Sequence, residues 1–261
     1  MDKIGIMTGS GFCEMTGVEQ KGLRKISTPF GSPSAEYRLC EVSGAEVVFL
    51  SRHGSPHRIP PHRINYRANI WGFREIGVER IFTINAVGGI RAGLRPGDIV
   101  IPDQIIDMTH GRDSTFYDEE QVVHVDFTDP YCPELRNLLR EAAGKRGLAI
   151  RESGTYLCVN GPRLETRAEI SFFAKSGADI VGMTGMPEAC LARELTMCFA
   201  SILVVTNSAA GISEKKLTTT EVMETMQISM ERIASLLSES LTLIRKERMC
   251  ACRHALNGAA M

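Results

Sequence analysis

Apolar positions along the chain fall into short runs that alternate with helix-like patterns. Runs rich in apolar and β-branched residues predict strands at 3–7, 46–51, 80–84, 98–101, 154–159, 179–183 and 200–206. Apolar residues spaced three or four apart predict helices at 64–76, 133–146, 165–175, 187–195 and 221–248. Strands that alternate with helices are typical of an α/β fold. We therefore predict one α/β domain over residues 1–248, with a central mixed β-sheet flanked by helices.

The last predicted helix has the clearest pattern. Its apolar residues, methionines included, step along one face, so we interpret them as part of the core. The run Thr218-Thr219-Thr220 provides an N-cap directly before it. Residues 249–261 follow as a tail without a clear period, and ordered and disordered states of this tail both stay open.

Charge and composition exclude several classes of protein. Thirty basic and 31 acidic side chains leave a net charge of −1, which argues against nucleic-acid and acidic-membrane partners. No apolar run reaches the roughly 18 residues of a membrane span, and the start of the chain lacks the pattern of a signal peptide. We therefore expect a cytoplasmic protein. Its eight cysteines contain no C-x-x-C pair, which favours free thiols over a disulfide framework.

Small and polar residues directly follow five of the predicted strands. They are Thr8-Gly9-Ser10-Gly11, Arg52-His53-Gly54, Asn85-Ala86-Val87-Gly88-Gly89, Thr184-Gly185 and Asn207-Ser208-Ala209-Ala210-Gly211. Ligands of α/β sheets bind outside the carboxyl ends of the strands. Hydroxyl, amide, guanidinium and glycine groups at five such ends predict one polar crevice, suited to an anion and a polar heterocycle.

Each of these segments also has a plain structural interpretation. The glycine-rich run at 8–11 lacks the spacing of a dinucleotide or P-loop motif, so it is either a tight turn or an anion loop to which Ser10 contributes a hydroxyl. Arg52 directly follows a buried strand and needs an anionic partner, for which phosphate and carboxylate both fit. Glu165 either supports a helix N-terminus or accepts an N–H from a heterocycle in the crevice.

The histidines at 53, 57 and 62 do not form a metal-binding pattern. Prolines at 56, 60 and 61 exclude a continuous helix through them, and no acidic residue or cysteine lies among them as a further ligand. We therefore predict no metal site. Hydrogen bonding to an anion and a purely structural role stay open for each histidine.

In combination, the motifs resemble one family, the trimeric purine nucleoside phosphorylases and 5′-methylthioadenosine phosphorylases, from Lys3 to about Arg245. The resemblance is carried by the segments at 8–11, 52–57, 65–71, 85–89, 96–100, 161–166 and 183–188. Segments 161–170, 179–195 and 209–211 are most similar to the bacterial 5′-methylthioinosine phosphorylases of this family. The resemblance implies a nucleoside phosphorylase-like fold and a homotrimer, or a hexamer built as a dimer of trimers.

The family cleaves the glycosidic bond of purine nucleosides with inorganic phosphate as co-substrate, and the resemblance implies no other cofactor. It assigns phosphate binding to Ser10, Arg52, His53, His57, the backbone of Ala86, and Thr184. It assigns the purine site to Val87, Leu164, Glu165, Met183 and Asn207. By the same resemblance, Asn207, Glu165 and His57 are the candidate catalytic residues.

Two departures from the family pattern indicate the substrate. Adenosine-type members carry Ser and Asp where this chain has Glu165 and Asn207. The Asn207 amide can donate to a 6-carbonyl and the Glu165 carboxylate accepts an N1–H, which only a 6-oxopurine presents. Purine nucleoside phosphorylases hold the 5′-hydroxyl with a histidine, whereas the corresponding position here is Thr219, with Val222 one turn on. A less polar 5′ group such as methylthio is therefore expected.

His124 matches a family segment that reaches the 5′ pocket of a neighbouring subunit. Together these residues predict 5′-methylthioinosine as the substrate. The alternatives are a general inosine/guanosine phosphorylase and a methylthioadenosine phosphorylase. Outside this class, a hydrolytic nucleosidase and a nucleoside-binding relative without catalysis stay open.

Overall fold

The protein is represented by a computed structural model that describes residues 3–9, 18–119, 121–214 and 218–261, without the side chain of Thr219. The strands are β1 (Lys3–Thr8), β2 (Glu19–Arg24), β3 (Tyr37–Val42), β4 (Ala45–Ser51), β5 (Val78–Gly89), β6 (Ile99–Val100), β7 (Gln104–Met108), β8 (Thr155–Val159), β9 (Ile180–Gly182) and β10 (Cys198–Ser208). The helices are α1 (Tyr66–Glu75), α2 (Pro133–Lys145), α3 (Arg167–Lys175), α4 (Gly185–Glu194) and α5 (Thr219–Leu243).

The described strands form one ten-stranded mixed sheet, as the sequence predicts. Its main path runs β2-β3-β4-β1-β5-β9-β8-β7, and β10 joins at β5 and carries β6. Strands β4, β1, β5 and β10 are mutually parallel, whereas β9 meets β5 in antiparallel register. Parallel neighbours bring their carboxyl ends to one edge of a sheet, and this edge carries the predicted crevice.

Helices cover both faces of the sheet because the central strands alternate their buried side chains. On β5, Phe82 and Ile84 join a core cluster with α2 and α5, while Ile81 and Val87 join a second cluster with α1 and α4. Successive strand residues point to opposite faces, so a buried strand needs apolar partners on both. The apolar face of α5 supplies Ile233 and Leu237, which confirms the interpretation of that helix.

Several elements differ from the predicted ones. Three strands were missed, because β2 is an almost fully exposed edge strand and β3 and β7 alternate poorly. Helix α5 ends at Leu243 rather than near Arg248, since Ile244 is already extended and the carbonyl of Arg245 accepts from the buried Arg80 at 3.0 Å.

Residues 249–261, which the sequence separates as a tail, fold back onto the domain. Glu134 of α2 accepts backbone N–H groups of Met249 at 2.8 Å and Cys250 at 3.1 Å. A short 3-10 helix at Ala251–His254 follows, and Ala260 forms a β-bridge with Val123. Among the described residues, no helix has the length and apolar content needed to cross a membrane.

Candidate active site

The strand ends that the sequence singled out do meet at one edge of the sheet. The carboxyl ends of β1, β4, β5 and β10 lie side by side in parallel register. Because β9 runs against β5, with Val181 opposite Gly88, the chain beyond β9 returns along the same stretch of β5. These polar strand ends therefore lie close together, and the crevice between them stays a prediction.

Two of the predicted strand ends are in fact part of longer strands. Strand β5 continues to Gly89 and β10 to Ser208, so Ala86, Val87 and Asn207 lie on strands and not in loops. Residues 80–85 and 87–89 are buried, whereas Ala86 between them is exposed. Ala86 therefore opens toward solvent in a stretch of strand that is otherwise covered.

Arg52 lies at the end of β4 with an exposed fraction of only 1%. Its anionic partner in the chain is the fully buried Glu188 of α4, whose Oε1 lies 2.7 Å from the Arg52 Nε. Nη1 donates to the carbonyl of Ile84 at 2.9 Å and Nη2 to that of Met7 at 3.1 Å. The charge of Arg52 is thus balanced inside the protein, so a bound anion is not needed to explain its burial.

Arg52 nevertheless faces the predicted anion loop. A Cβ built on Gly9 would lie 3.8 Å from the Arg52 Nη1, which carries a second N–H group besides the one that donates to Ile84. Ser10, the predicted hydroxyl donor of this loop, lies outside the described residues. Sequence reasoning missed Glu188, since nothing in its local pattern indicates a contact with a residue 136 positions away.

His53 and His57 form a stacked pair beside Arg52, with ring centroids 4.3 Å apart. His53 is buried and its Nδ1 lies 2.7 Å from the carbonyl oxygen of Ile59. Burial, followed by the nearby Arg52 charge, lowers the pKa of His53 to about 4. His53 is therefore a neutral imidazole at neutral pH, and it donates through Nδ1. His57 is exposed on the outer side of the pair.

Thr184 belongs to a buried chain of polar side chains. Its Oγ1 accepts from Asn85 Nδ2 at 2.8 Å, Asn85 Oδ1 accepts from Thr83 at 3.0 Å, and the Thr83 hydroxyl lies 2.8 Å from that of Ser201. Such a chain fixes the orientation of the Asn85 amide and of the Thr83 hydroxyl, because each of them has a defined partner. Thr83 and Ser201 escaped sequence reasoning, as they lie inside apolar strands.

Asn207 is aimed by an irregularity in β10. The register with β5 shifts between Val205 and Asn207, and a bulge of this kind redirects the side chains next to it. The Asn207 Oδ1 accepts from the Thr206 hydroxyl at 2.9 Å, and Nδ2 donates to the carbonyl of Ser208 at 2.9 Å. With its oxygen turned to Thr206, the half-buried amide keeps a second N–H for a ligand.

Glu165 precedes helix α3 rather than belonging to its first turn. The helix begins at Arg167 with Thr166 as N-cap, and Glu169 is the first-turn acid that completes a capping box. The interpretation of Glu165 as a helix-supporting acid is therefore wrong. Its carboxyl is half-buried, and burial raises its pKa above the ordinary value. The adjacent Leu164 is 52% exposed.

Met183 packs against Gly161 at the mouth of the crevice. A Cβ on Gly161 would overlap the Met183 sulfur, and this glycine has a φ of +60°. A larger residue would displace Met183 and strain the backbone, so glycine is required here. The segment that carries Leu164 and Glu165 is thereby held close to β9.

The structure gives fewer contacts for the residues that were predicted to bind the 5′ group of the nucleoside. Thr219 is the first residue of helix α5, but its side chain is not among the parts that the structure describes. Val222 is half-buried in the first turn of α5. His124 is exposed, and its backbone N–H donates to Ala259 at 2.8 Å, so the C-terminal segment positions it. An exposed imidazole is available to another molecule, and the role of His124 stays a prediction.

The crevice thus combines two kinds of recognition. Arg52 and Thr184 have N–H and O–H groups that suit an oxyanion, and the contribution of the Ala86 backbone stays a prediction. Around Asn207 and Glu165, an amide and a carboxylate suit the edge of a polar heterocycle.

Several known proteins have sequences similar to this chain. The family model described as "Phosphorylase superfamily" matches residues 3–242. A probable S-methyl-5′-thioinosine phosphorylase from Thermodesulfovibrio yellowstonii is 52% identical and covers 99% of this chain and 97% of its own. A 6-oxopurine nucleoside phosphorylase from Pyrococcus furiosus is 50% identical, with 99% of each chain covered.

A solved structure supports the same assignment. The methylthioadenosine phosphorylase from Schistosoma mansoni in complex with adenine has a TM-score of 0.93 at 33% identity and covers 99% of this chain and 97% of its own. The resemblance that the motifs carry is therefore confirmed, since the match extends over almost the entire sheet and its helices. On these grounds the chain belongs to the phosphorylase superfamily.

Proposed function

We propose that this protein is a purine nucleoside phosphorylase specific for 6-oxopurines, with S-methyl-5′-thioinosine as its preferred substrate. Inorganic phosphate is the co-substrate and no other cofactor takes part. The products are hypoxanthine and 5-methylthioribose 1-phosphate. The names of the relatives at 50% and 52% identity, a 6-oxopurine phosphorylase and a probable methylthioinosine phosphorylase, support the two halves of this specificity.

The observation that carries the proposal is the pairing of Asn207 with Glu165 at the crevice. Asn207 keeps an N–H donor because its oxygen accepts from Thr206, and that donor matches the 6-carbonyl and N7 side of a 6-oxopurine. Glu165 offers a carboxylate to the N1–H that adenine lacks. A site built for one donor and acceptor pattern leaves buried groups unpaired with the other, and this discriminates strongly.

Catalysis then rests on positioning and electrostatics. As the glycosidic bond stretches, the sugar becomes oxocarbenium-like and the purine gains negative charge. A phosphate held by Arg52, Thr184, Ser10 and the Ala86 backbone stabilises the cation and attacks its anomeric carbon. The bond from sugar to purine nitrogen breaks and the bond from sugar to phosphate oxygen forms. Asn207 stabilises the departing purine anion until it takes up a proton from solvent, and the new sugar phosphate releases the proton of hydrogen phosphate in balance.

Glu188 and Asn85 act as positioning residues in this scheme. The Glu188 carboxylate binds the Nε of Arg52, and the Arg52 Nη1 is thereby directed toward the anion loop. Asn85 donates to the Thr184 oxygen, so the Thr184 hydroxyl proton is left to donate to phosphate. Because His53 is neutral and donates to the carbonyl of Ile59, we assign it a supporting role rather than the charge of the anion site.

The deciding experiment measures base release from S-methyl-5′-thioinosine, inosine and S-methyl-5′-thioadenosine, each with and without phosphate. We expect phosphate-dependent release of hypoxanthine, with the highest kcat/KM for methylthioinosine. A preference for inosine would contradict the proposed 5′-methylthio specificity but would still support the specificity for 6-oxopurines. A preference for methylthioadenosine would overturn the interpretation of Glu165 and Asn207. Release without phosphate would identify a hydrolase, and binding without turnover an inactive relative.

We further propose a homotrimer in which His124 of one subunit reaches the 5′ pocket of the next. The exposure of His124, in a segment held by the C-terminal residues, supports this assignment. Sedimentation equilibrium gives the number of subunits. His124→Ala should raise KM for the nucleoside while leaving KM for phosphate unchanged, and a trimer in which both constants are unaltered would contradict the proposal.

A further inference from the structure

Four cysteines from distant parts of the chain meet in one buried group, the tetrathiol cluster. Its members are Cys132, Cys198, Cys250 and Cys252. Their four Sγ atoms all lie within 4.8 Å of one another, and those of Cys198 and Cys250 are 3.3 Å apart. None of the four side chains is more than 8% exposed.

The cluster lies far from the crevice. Cys198 is the first residue of β10, whereas Asn207 lies near its carboxyl end. At about 3.3 Å per residue, nine strand residues separate the two sites by roughly 30 Å. The proposed phosphorolysis therefore has no use for these thiols, and the inference drawn from them does not depend on the proposed function.

Other contacts fix the segments that supply the sulfurs. Cys132 is the N-cap of α2, and its backbone N–H donates to the carbonyl of Phe199 at 2.8 Å, which joins it to the start of β10. Glu134 accepts from the N–H groups of Met249 and Cys250, which brings the C-terminal segment to the same place. Cys252 then lies in the 3-10 helix that follows. The backbone thus holds all four sulfurs together.

This arrangement matches the donor set of a tetrahedral metal ion. Four thiolates are a common structural zinc site, and a Zn–S distance of about 2.3 Å places the sulfurs of a regular tetrahedron roughly 3.8 Å apart. All four cysteines are free thiols, and the sulfurs of Cys198 and Cys250 lie 3.3 Å apart, well beyond the S–S bond length of about 2.05 Å. Soft thiolate ligands select zinc over magnesium or calcium.

The surroundings also suit a charged site. One zinc ion and four thiolates carry a net charge of −2, which needs compensation in a buried place. Arg248 interacts electrostatically with Cys198 and Cys250, while it pairs with Glu79 at 3.0 Å and donates to the carbonyl of Thr196 at 2.7 Å. A guanidinium held in this position offsets part of that charge.

We propose that Cys132, Cys198, Cys250 and Cys252 bind one structural zinc ion that fastens the C-terminal segment to α2 and β10. On binding, the four thiols release their protons to solvent and no oxidant or reductant is involved. The C-terminal segment in turn holds residues 122–124, because Met261 donates to Val122 and His124 donates to Ala259. Zinc binding is therefore expected to order both segments together.

The test starts with the purified full-length protein. Elemental analysis should give about one zinc per chain, and cobalt added to the reduced, metal-free protein should give the visible bands of a tetrahedral thiolate complex. Cys250→Ser and Cys252→Ser should lose both signals. Cys40→Ser is the matched control, because Cys40 is equally buried on β3 but lies outside the cluster, and it should keep both.

A readout that needs no variant covers the case in which the serine variants fail to fold. Hydrogen exchange of the wild-type protein should show faster exchange at residues 122–124 and 250–261 after zinc is removed by a chelator, and slower exchange after zinc is restored. Two outcomes would overturn the proposal. One is a protein that takes up neither zinc nor cobalt when its thiols are reduced, and the other is uptake that Cys250→Ser and Cys252→Ser leave unchanged.

Discussion

In the proposed function, base specificity depends on Asn207, since the orientation of its amide decides which hydrogen-bonding group faces the purine. Replacing it in Asn207→Asp exchanges the ligand-facing N–H for an acceptor, which favours a 6-amino group over a 6-carbonyl. We expect the ratio of kcat/KM for methylthioinosine to that for methylthioadenosine to fall by about 10²-fold or more.

The matched control for this change is Asn137→Asp. Asn137 is exposed on α2, so the same chemical change is made away from the crevice, and the substrate ratio should stay at the wild-type value. An unaltered ratio in Asn207→Asp itself would remove Asn207 from base recognition.

If Glu165 accepts the purine N1–H as proposed, base recognition is sensitive to pH. The carboxylate must be ionised to accept the purine N1–H, and burial raises its pKa above the ordinary value. Activity on 6-oxopurines should therefore fall as pH decreases, and this fall should begin at a higher pH than for an exposed glutamate. It is measured as log kcat/KM against pH at saturating phosphate.

Glu165→Gln isolates this effect. The glutamine carbonyl still accepts a hydrogen bond but does not titrate, so the acid limb that belongs to Glu165 should disappear. Loss of a charged acceptor should lower kcat/KM by about 10-fold to 100-fold at neutral pH. If the variant retains the full acid limb, another group controls the pH dependence.

At the scale of elements, the cap of helix α3 holds the purine-side segment in place. Thr166 accepts from the N–H of Glu169 at 3.1 Å, and the Glu169 carboxylate accepts from the N–H of Thr166 at 2.7 Å, directly after Glu165. Thr166→Ala should lower the free energy of unfolding by about 1 kcal/mol and raise KM for the nucleoside more than KM for phosphate.

Urea unfolding at fixed protein concentration measures the stability change, and steady-state kinetics measure both KM values. Ser171→Ala lies in the middle of the same helix, where no cap is lost, and should leave both quantities close to wild type. Equal changes in the two KM values of Thr166→Ala would indicate that the cap has only a structural role.

The elements that the sequence predicted well are those with a strong period or a fully apolar run. Strand β1 and helix α2 were predicted to within one residue at each end. Buried strands and amphipathic helices each require a regular spacing of apolar residues, which is visible in the sequence. Strand β2, with the residues Glu19 to Arg24, was missed because an exposed edge strand needs no apolar face. Its antiparallel pairing with β3 depends on tertiary contacts rather than on the local sequence.

At the scale of the whole molecule, the buried ion pair between Arg52 and Glu188 joins the end of β4 to α4. The two side chains are 1% and 0% exposed. Glu188→Ala leaves a buried guanidinium without its carboxylate, which should reduce the free energy of unfolding by about 3–5 kcal/mol. It should also raise KM for phosphate, because Arg52 loses the contact that orients it.

Glu152→Ala is the control for this change. It breaks the ion pair of Glu152 with Arg140, in which both side chains are about half exposed, and exposed pairs contribute about 0–1 kcal/mol. Urea midpoints at constant slope and fixed protein concentration compare the two variants. A similar small loss in both would show that Arg52 finds another partner.

Local pattern in the sequence alone determined the α/β class, the order of most strands and helices, and the polar residues at the strand ends. These features depend on residues within one strand or one helical turn, so a short stretch of chain contains the information. The motifs at 8–11, 52–57 and 183–188 further indicated the family, which the comparisons confirm.

Only the tertiary structure decided which distant side chains meet. It gave Arg52 a carboxylate partner 136 residues away, turned Asn207 by a bulge in β10, removed Glu165 from the first turn of α3, and gathered four cysteines into one cluster. These contacts depend on strand register and on how helices pack across the sheet. Neither can be read from the local spacing of residues. The sequence therefore predicted an anionic partner for Arg52 without identifying Glu188, and it predicted free thiols, which the structure confirms for the cysteines that it describes, without indicating that four of them meet.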